Sequence, residues 1–415
     1  MFSPPSRRSF LRLGATALLA SAASCEQDRA ASAANPADPA LPLDNALPFR
    51  QKIPAPARIA SIDVLRIGPS YFLRSTSTDG AVGLAITNDR LQDLLPLLQR
   101  RVIPYFLGKD ARDLHQLVDG VYTHQSNYKY AGMAFWCCVG FVEFSLLDLL
   151  GNIARTSVGQ LFGPVLRKSV PVYLSSMRRD TTPQQEVHWL AQRLNDTGAN
   201  AVKLKIGGRM SKNADAAPGR TEQLIPLARK TFGDAVTIYV DANGSYDAPK
   251  AIEVGKMLEA HNVAFFEEPC PFDEYDQTRQ VAQALHIPVA GGEQDTSIAR
   301  FREIIQNAVL DILQPDLNYN GGFIRTIRVA DLAATRKIPV TPHSPKSDPN
   351  EAYMLHFVSR TPNAGPYHEY DAAPRPKPPW FSPTMQVKNG ALDVPDGPGL
   401  GITIDPQLLA KAQPL

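Results

Sequence analysis

The feature that most constrains the fold is an alternation of short β-rich runs with amphipathic stretches, which starts near residue 169. In the intervening stretches, such as 184–194 and 324–334, apolar residues recur at the spacing of one helix face. Alternating units of this kind build a parallel sheet, and eight strands within about 200 residues predict a closed (β/α)8-type barrel. The β-rich runs are 171–175, 201–206, 236–241, 263–268, 287–291, 310–314, 338–341 and 365–370.

An open, doubly wound sheet is the competing topology. It would need a glycine-rich phosphate-binding turn after its first strand. The sequence at that point, Leu174-Ser175-Ser176-Met177, contains no glycine. The closed barrel is therefore the favoured α/β architecture.

Ionisable residues follow the predicted strands at nearly constant intervals. The successive gaps are 36, 26, 26, 23, 27 and 26 residues, close to one strand–helix unit each. One charged residue at a strand end commonly caps the next helix or faces solvent, but a whole series in register fits that explanation poorly. Because strand C-termini converge on one mouth of a barrel, these side chains are expected to share one site. The series is Lys205, Asp241, Glu267, Glu293, Asp316, His343 and Glu369.

Three of these carboxylates predict a metal site. Asp241, Glu267 and Glu293 would repel one another at one mouth unless a cation held them. Hard oxygen donors without cysteine or histidine suit Mg²⁺, and we expect one ion per active site. Lys205 and His343 would flank the ion as bases, and Asp316 would fix the tautomer and raise the basicity of His343.

In their order and spacing, these motifs resemble the enolase superfamily and, within it, the mandelate racemase subgroup of the mandelate racemase/muconate lactonizing enzyme family. The resemblance covers roughly residues 58–371. Muconate-lactonising and dipeptide-epimerase enzymes would place a lysine after the sixth strand, where this chain has an aspartate. The motifs are Ala-Val-Lys203-Leu-Lys205-Ile-Gly, Val-Asp241-Ala-Asn243-Gly, Phe-Glu267-Glu268-Pro269, Gly292-Glu293, Gln-Pro-Asp316, Pro-His343-Ser and His-Glu369-Tyr.

The resemblance implies a reaction in which Mg²⁺ binds a substrate carboxylate and the proton on the adjacent carbon is removed, giving an enediolate. By the same resemblance, Lys205 and His343 with Asp316 would serve the two faces of that carbon, and Asp241, Glu267 and Glu293 would hold the metal. The residues implied to contact the substrate are Lys203, Asn243 and Glu369.

Several reactions are compatible with this set of residues. Dehydration of a sugar acid is favoured, which makes the protein a lyase whose partner is a small-molecule carboxylate. Racemisation or epimerisation of a 2-hydroxy acid would use the same two bases and stays open. A non-catalytic exported protein that binds sugar acids is disfavoured, because binding alone needs no pair of bases beside a metal.

The resemblance also predicts the domain layout. Residues 58–168 would form an α+β capping domain and 169–371 a TIM barrel of the modified (β/α)7β form. Residues 372–415 would be a strap that returns to complete the cap. A long loop at 207–222 could bring Arg209 and Lys212 toward an acidic substrate. We expect a homo-oligomer, whose size the sequence does not give.

The N-terminus has the composition of an export signal. Arg7 and Arg8 precede a weakly apolar stretch at 13–23, which is typical of the twin-arginine type and predicts export to the periplasm. Residues 1–34 would be this signal, and 35–57 a proline-rich linker. Cys25 follows small residues that loosely resemble a lipoprotein box, so a lipid anchor there is an open alternative.

Composition excludes two classes of function. Beyond the three arginines that precede the first acidic residue, 40 basic residues face 41 acidic ones, which leaves no surplus for binding nucleic acid. No uninterrupted apolar run reaches the ~18 residues that span a bilayer. The four cysteines, two of them adjacent, are too few for a disulfide framework.

Overall fold

A computed structural model describes residues 49–346, 349–373 and 380–415. The predicted signal at 1–34, with Cys25, and positions 35–48 of the predicted linker lie outside the described residues. The strands are β1 (Ile59–Ile67), β2 (Ser70–Ser77), β3 (Val82–Ile86), β4 (Ser169–Ser175), β5 (Ala201–Lys205), β6 (Thr237–Asp241), β7 (Val263–Glu267), β8 (Val289–Gly291), β9 (Ile312–Leu313), β10 (His368–Asp371), β11 (Phe381–Ser382), β12 (Ala391–Asp393), β13 (Thr403–Ile404) and β14 (Gln413–Pro414).

The helices alternate with the strands of the second half of the chain. The α-helices are α1 (Phe49–Lys52), α2 (Leu91–Leu97), α3 (Ile103–Phe106), α4 (Leu114–Thr123), α5 (Met133–Ala154), α6 (Val158–Leu161), α7 (Pro183–Thr197), α8 (Arg220–Phe232), α9 (Ala248–Ala260), α10 (Tyr275–Ala284), α11 (Ile298–Gln306), α12 (Phe323–Ala334), α13 (Glu351–Arg360) and α14 (Pro406–Leu409). A π-helical turn at Leu98–Val102 and 3₁₀ turns at Ala111–Asp113 and His124–Tyr130 lie between the first of them.

The first half of the chain and its last residues form an antiparallel sheet with helices. Its strand order is β14-β1-β2-β3, so the end of the chain completes the sheet that the first strands begin. On its way there the tail pairs β12 antiparallel with β4, which ties it to the second sheet. This is the α+β cap with a returning C-terminal tail that the sequence predicts.

The core of the cap is the 22-residue helix α5. By length and mean hydropathy it could cross a membrane, but 89% of its most apolar 18-residue stretch is buried inside the protein. The helix packs against β3, where a Cβ on Gly83 would lie 2.3 Å from the backbone nitrogen of Leu149. Its apolar composition therefore reflects burial from all sides, as expected of a helix in a protein core.

The second sheet is parallel and closes on itself. Its order is β10-β4-β5-β6-β7-β8-β9, and parallel bridges from Leu313 to Val340 and from Val340 to Ala364 connect β9 back toward β10. The helices α7 to α13 connect the successive strand positions in the described chain. Eight strand positions joined by seven helices give the (β/α)7β form, and the barrel prediction is confirmed.

Two of the predicted barrel strands are reduced to one or two paired residues. The expected strand 338–341 is reduced to single bridges at Val340, and the expected strand 310–314 to Ile312–Leu313. Pro339 and Pro342 flank Val340, and Pro315 follows the other run. Proline lacks the N–H that a ladder needs, so Pro339 and Pro342 limit the pairing at Val340, and Pro315 ends the other run.

Local signals fix where the barrel helices begin and end. Thr182 and Gln185 form a capping box at the start of α7, with Pro183 in the first turn, and Gly198 ends the helix at φ +67°. Asp247 and Ser297 cap α9 and α11 with their side-chain oxygens. These caps fix where each loop at the barrel mouth ends and its helix begins.

Candidate active site

Strand register places three of the predicted residues side by side. Lys205 on β5 pairs with Asp241 on β6, and Asp241 pairs with Glu267 on β7. Since side chains alternate between the faces of a strand, Lys203 points to the same interior face one step below Lys205. Tyr239 and Phe265 lie below the carboxylates of their own strands and stack at 3.9 Å between ring centroids. Two stacked aromatic rings therefore pack directly below the charged groups.

Lys203 is fully buried beneath the mouth. Its Nζ donates to both oxygens of Glu267 at 2.8 Å and lies 2.7 Å from Glu369 Oε1. Asp241 Oδ2 is 4.0 Å from the same nitrogen. Burial disfavours the charged amine, but Glu267 and Glu369 outweigh burial and hold the pKa of Lys203 well above its ordinary value.

Lys205 is the last residue of the same strand and is also buried. Its Nζ donates to Asp241 Oδ2 and, at 3.3 Å, to Asn243 Oδ1. Burial alone would raise the pKa of Asp241, but Lys205 and then Lys203 lower it below its ordinary value. Asn243 adopts φ +43° and its backbone N–H donates to Asp241 Oδ1 at 2.7 Å, so the amide is held in a fixed position.

The other wall of the mouth carries His343. Its Nδ1 lies 2.8 Å from Asp316 Oδ2, and its Nε2 lies 3.2 Å from Glu293 Oε2. Asp316 is itself held by the backbone N–H groups of Asn318 and Tyr319. Burial opposes protonation, but Glu293 and Asp316 raise the pKa of His343 to about 9. The structure therefore contains the Asp316–His343 pair that the sequence predicts.

Glu369 closes the ring beside the first barrel strand. Ser175 Oγ donates to its Oε1 at 2.7 Å, and the backbone N–H of Ser344 donates to its Oε2 at 2.9 Å. Although burial raises the pKa of Glu369, Lys203 and then His343 lower it to about 2. Here Glu369 is a charged acceptor that orients Lys203, and a direct contact with substrate stays a prediction.

The site holds more negative charge than its neighbours neutralise. Burial and the adjacent Asp241 raise the pKa of Glu267 to about 8, and burial with Glu293 and Asp241 raises the pKa of Glu268 well above its ordinary value. Glu268 Oε1 is buried and has no hydrogen-bond partner among the described residues. Hard oxygen donors with excess negative charge fit Mg²⁺ by donor type and by charge.

The three predicted metal ligands do not form one cluster in this structure. In the part of the chain that the structure describes, no group of three or more aspartate, glutamate, histidine or cysteine side chains is arranged to hold a metal ion. Asp241 and Glu267 contact the lysines of β5, and Glu293 faces His343 instead. Each predicted ligand thus has a nitrogen partner.

Sequence reasoning missed several residues of the site. Gln314 Nε2 donates to Glu267 Oε2 at 2.8 Å, and Gln294 Nε2 donates to Glu293 Oε1 at 2.9 Å. Arg179 Nη2 donates to Asn243 Oδ1 at 2.8 Å. Gln314 and Gln294 lie beside the motif residues Asp316 and Glu293, which was a usable signal. Arg179 lies four residues beyond its strand, outside the regular series.

A family model described as "Enolase C-terminal domain-like" matches residues 186–408. The arabinonate dehydratase of Saccharolobus solfataricus is 28% identical over 314 residues, which cover 74% of this chain and 80% of that protein. The D-galactarolactone cycloisomerase of Agrobacterium fabrum is 27% identical over 318 residues, which cover 74% of this chain and 82% of that protein.

Solved structures show the same architecture. A provisionally assigned racemase from Roseobacter denitrificans is 35% identical and superposes with a TM-score of 0.82, covering 86% of this chain and 99% of that one. A mandelate racemase/muconate lactonizing protein from Paracoccus denitrificans PD1222, crystallised with magnesium, is 26% identical with a TM-score of 0.80 and the same coverage.

Proposed function

The chain belongs to the enolase C-terminal domain-like family, and we propose that it is a Mg²⁺-dependent dehydratase of sugar acids. Family membership and the arabinonate dehydratase relative support an enzyme of the lyase or racemase type. They set aside a non-catalytic sugar-acid binder. The magnesium in the Paracoccus structure supports the choice of metal.

The observation that carries the proposal is the position of the two bases around the ring. Lys205 on β5 stands at one end of the arc of carboxylates on β6, β7 and β8, and His343, which follows Val340, stands near the other end. Each base contacts one carboxylate of the arc, Asp241 and Glu293 respectively. A substrate carbon held above the arc would therefore have a base on either side.

The residues suit separate tasks in such a reaction. When bound by Asp241, Glu267 and Glu293, Mg²⁺ would stabilise the charge that develops on the substrate carboxylate as the α-proton leaves. Lys203 would add a fixed positive charge from below the same carboxylate. Asn243, held by its backbone N–H, would orient the substrate beside Lys205.

The proposed dehydration begins with removal of the α-proton and ends with a change from an enol to a keto group. One of the two bases takes the α-proton, and the electron pair of that C–H bond enters the enediolate. The electron pair then forms the α,β double bond as the β-hydroxyl leaves. An acid in the site protonates the leaving hydroxyl, so that it departs as water. The resulting enol takes up a proton at the β-carbon and loses its hydroxyl proton, which gives a 2-keto acid. Asp316 keeps His343 oriented for whichever of these transfers it performs.

Racemisation or epimerisation is the alternative, and the positions of the two bases are compatible with it. Two bases at opposite ends of the arc would also remove a proton from one face and return one to the other. The Roseobacter relative is assigned provisionally to that chemistry. The two reactions differ in product, because only dehydration yields a 2-keto acid.

The test is a screen of the Mg²⁺-loaded protein against mono- and diacid sugars in D₂O. Dehydration predicts a 2-keto product, and racemisation predicts deuterium at the α-carbon without it. Lys205→Ala and His343→Asn should each lower turnover by roughly 10²- to 10⁴-fold, since each removes an acid or base. Lys256→Ala, on the exposed face of α9, is the matched control. Full turnover by both site variants would refute the assignment of these bases.

We further propose that the protein is exported by the twin-arginine route and acts in the periplasm. The proposal rests on Arg7, Arg8 and the apolar stretch after them. Replacing both arginines with lysine should leave the protein in the cytoplasm, measured by fractionation. Equal export of the variant would contradict this route. A lipid on Cys25 and a homo-oligomeric state stay predictions, testable by mass spectrometry and by light scattering.

A further inference from the structure

Three cationic side chains converge on one neutral oxygen at the barrel mouth. Asn243 Oδ1 accepts from Arg179 Nη2 at 2.8 Å, from Lys205 Nζ at 3.3 Å and from Arg209 Nη2 at 3.4 Å. Arg179 follows β4, and Arg209 belongs to the long loop that follows β5. Two loops therefore bring guanidinium groups next to the proposed base.

The two guanidinium groups lack ionic partners. Lys205 has Asp241, but within the described ranges neither Arg179 nor Arg209 has a carboxylate oxygen within 4.0 Å. Arg179 Nε donates to the carbonyl of Gly207 at 3.2 Å, so backbone and amide oxygens are its acceptors. Burial lowers the pKa of Arg179, with Arg209 adding repulsion while Asp241 opposes it. Like charges held this close favour an anion between them.

Asn243 marks the boundary between two halves of the site. Its Nδ2 donates to Glu268 Oε2 at 3.3 Å on the acidic side, while its Oδ1 faces the arginines. On that side, Arg179 and Arg209 come from two different loops and meet at the same amide oxygen. A substrate that extends past Asn243 would therefore leave the acidic half and meet the two guanidinium groups.

We infer that Arg179 and Arg209 form a subsite for a second carboxylate, so that the substrate is a sugar diacid with one carboxylate at each end. The inference rests on the proposed function, because the first carboxylate would lie in the acidic half beside Lys203. A guanidinium group binds a carboxylate through two parallel hydrogen bonds, one to each oxygen. The amide of Asn243 has only one acceptor oxygen, so it cannot take the place of that carboxylate. A monoacid would leave both arginines without an anion.

Binding of unreactive acids to the Mg²⁺-loaded protein tests the subsite without turnover. Adipate has six carbons and two carboxylates, and hexanoate has the same length with one. Calorimetry should show adipate binding at least about tenfold more tightly than hexanoate. Arg179→Gln and Arg209→Gln should each weaken adipate by about 10- to 100-fold and leave hexanoate unchanged. Arg179→Lys should retain part of the adipate affinity.

Arg178→Gln is the matched control. Its guanidinium is next in sequence but faces the other way, 3.7 Å from Glu186 Oε2 and over the ring of Trp189. This variant should bind adipate like the wild type. Equal affinity for adipate and hexanoate, or an equal loss for both acids in Arg179→Gln, would overturn the subsite.

The screen of sugar acids separates this inference from the proposed function. If adipate is preferred but no acid is dehydrated or racemised, the subsite stands and the proposed function fails. If monoacids are dehydrated and diacids are not preferred, the proposed function stands and the subsite fails.

Discussion

A buried carboxylate joins the cap to the barrel, and its charge should make stability depend on pH. Glu143 on α5 is fully buried, and its Oε2 and Oε1 accept the backbone N–H groups of Phe323 and Ile324 at 2.5 and 3.0 Å. These are the first N–H groups of α12, so a cap residue satisfies the start of a barrel helix. Burial raises the pKa of Glu143 to about 8, although the two hydrogen bonds oppose the shift.

The sign of the effect follows from where the proton is bound. Between the ordinary pKa of 4.5 and the folded pKa of about 8, the folded protein keeps a proton on Glu143 that the unfolded chain has lost. The contribution of Glu143 to the free energy of unfolding is therefore largest below pH 4.5, and it falls as the pH rises to about 8. At about 1.4 kcal/mol per pH unit, the loss across the window is about 5 kcal/mol.

Glu143→Gln removes this titration while keeping the shape of the side chain. The amide has one acceptor oxygen for two backbone N–H groups, so one of them is left unsatisfied at a cost of about 1–3 kcal/mol. We expect the variant to be less stable than the wild type at pH 5. The deficit should shrink with rising pH and disappear or reverse by pH 8.5.

The assay is urea unfolding at pH 5 to 8.5, followed by far-UV circular dichroism for wild type and variant. Other titrating groups are common to both proteins and cancel in the difference. Gln306→Ala, at an exposed position on α11, removes no titrating group and should show no pH-dependent difference from the wild type. If the free energies of unfolding of wild type and Glu143→Gln stay parallel across this range, Glu143 does not carry the shifted pKa.

Three further perturbations have defined outcomes. Asp316→Asn should slow turnover by less than the roughly 10²- to 10⁴-fold loss expected for His343→Asn, because the imidazole stays but loses its orienting carboxylate; comparing kcat of the two variants checks this. Gly322→Ala would place a Cβ 1.8 Å from Glu143 Oε2 and should unfold at far lower urea than Gly233→Ala, which has a similar backbone but nothing within 4 Å. Removing divalent metal with a chelator should abolish turnover, and added Mg²⁺ should restore it.

The sequence could predict where the charged residues lie because their spacing matches the repeat of the strand–helix units in the barrel. One strand–helix unit takes about 26 residues here, and a closed parallel barrel brings the end of every strand to the same mouth. The observed register pairs Lys205 with Asp241 and Asp241 with Glu267, as that argument requires. The positions of these strand-end residues depend on the strand order and the repeat length rather than on loop conformations. A single sequence therefore carries enough information to predict them.

Contacts between distant segments could not be predicted in the same way. Glu143 and Phe323 are 180 residues apart, and no periodicity relates them. Arg179 reaches Asn243 across 64 residues from a loop whose conformation depends on its neighbours. The lengths of the strands at Ile312–Leu313 and Val340 depend on flanking prolines, which strand-like composition alone does not reveal.

Each predicted metal ligand has a nitrogen partner at the mouth of the barrel. Asp241 contacts Lys205, Glu267 contacts Lys203 and Glu293 contacts His343, so two of these nitrogen partners are the proposed bases. Binding of Mg²⁺ would therefore have to exchange these partners, releasing Lys205 from Asp241 and His343 from Glu293. The exchange would free the two proposed bases at the moment the site is completed, because their carboxylate partners are the metal ligands themselves.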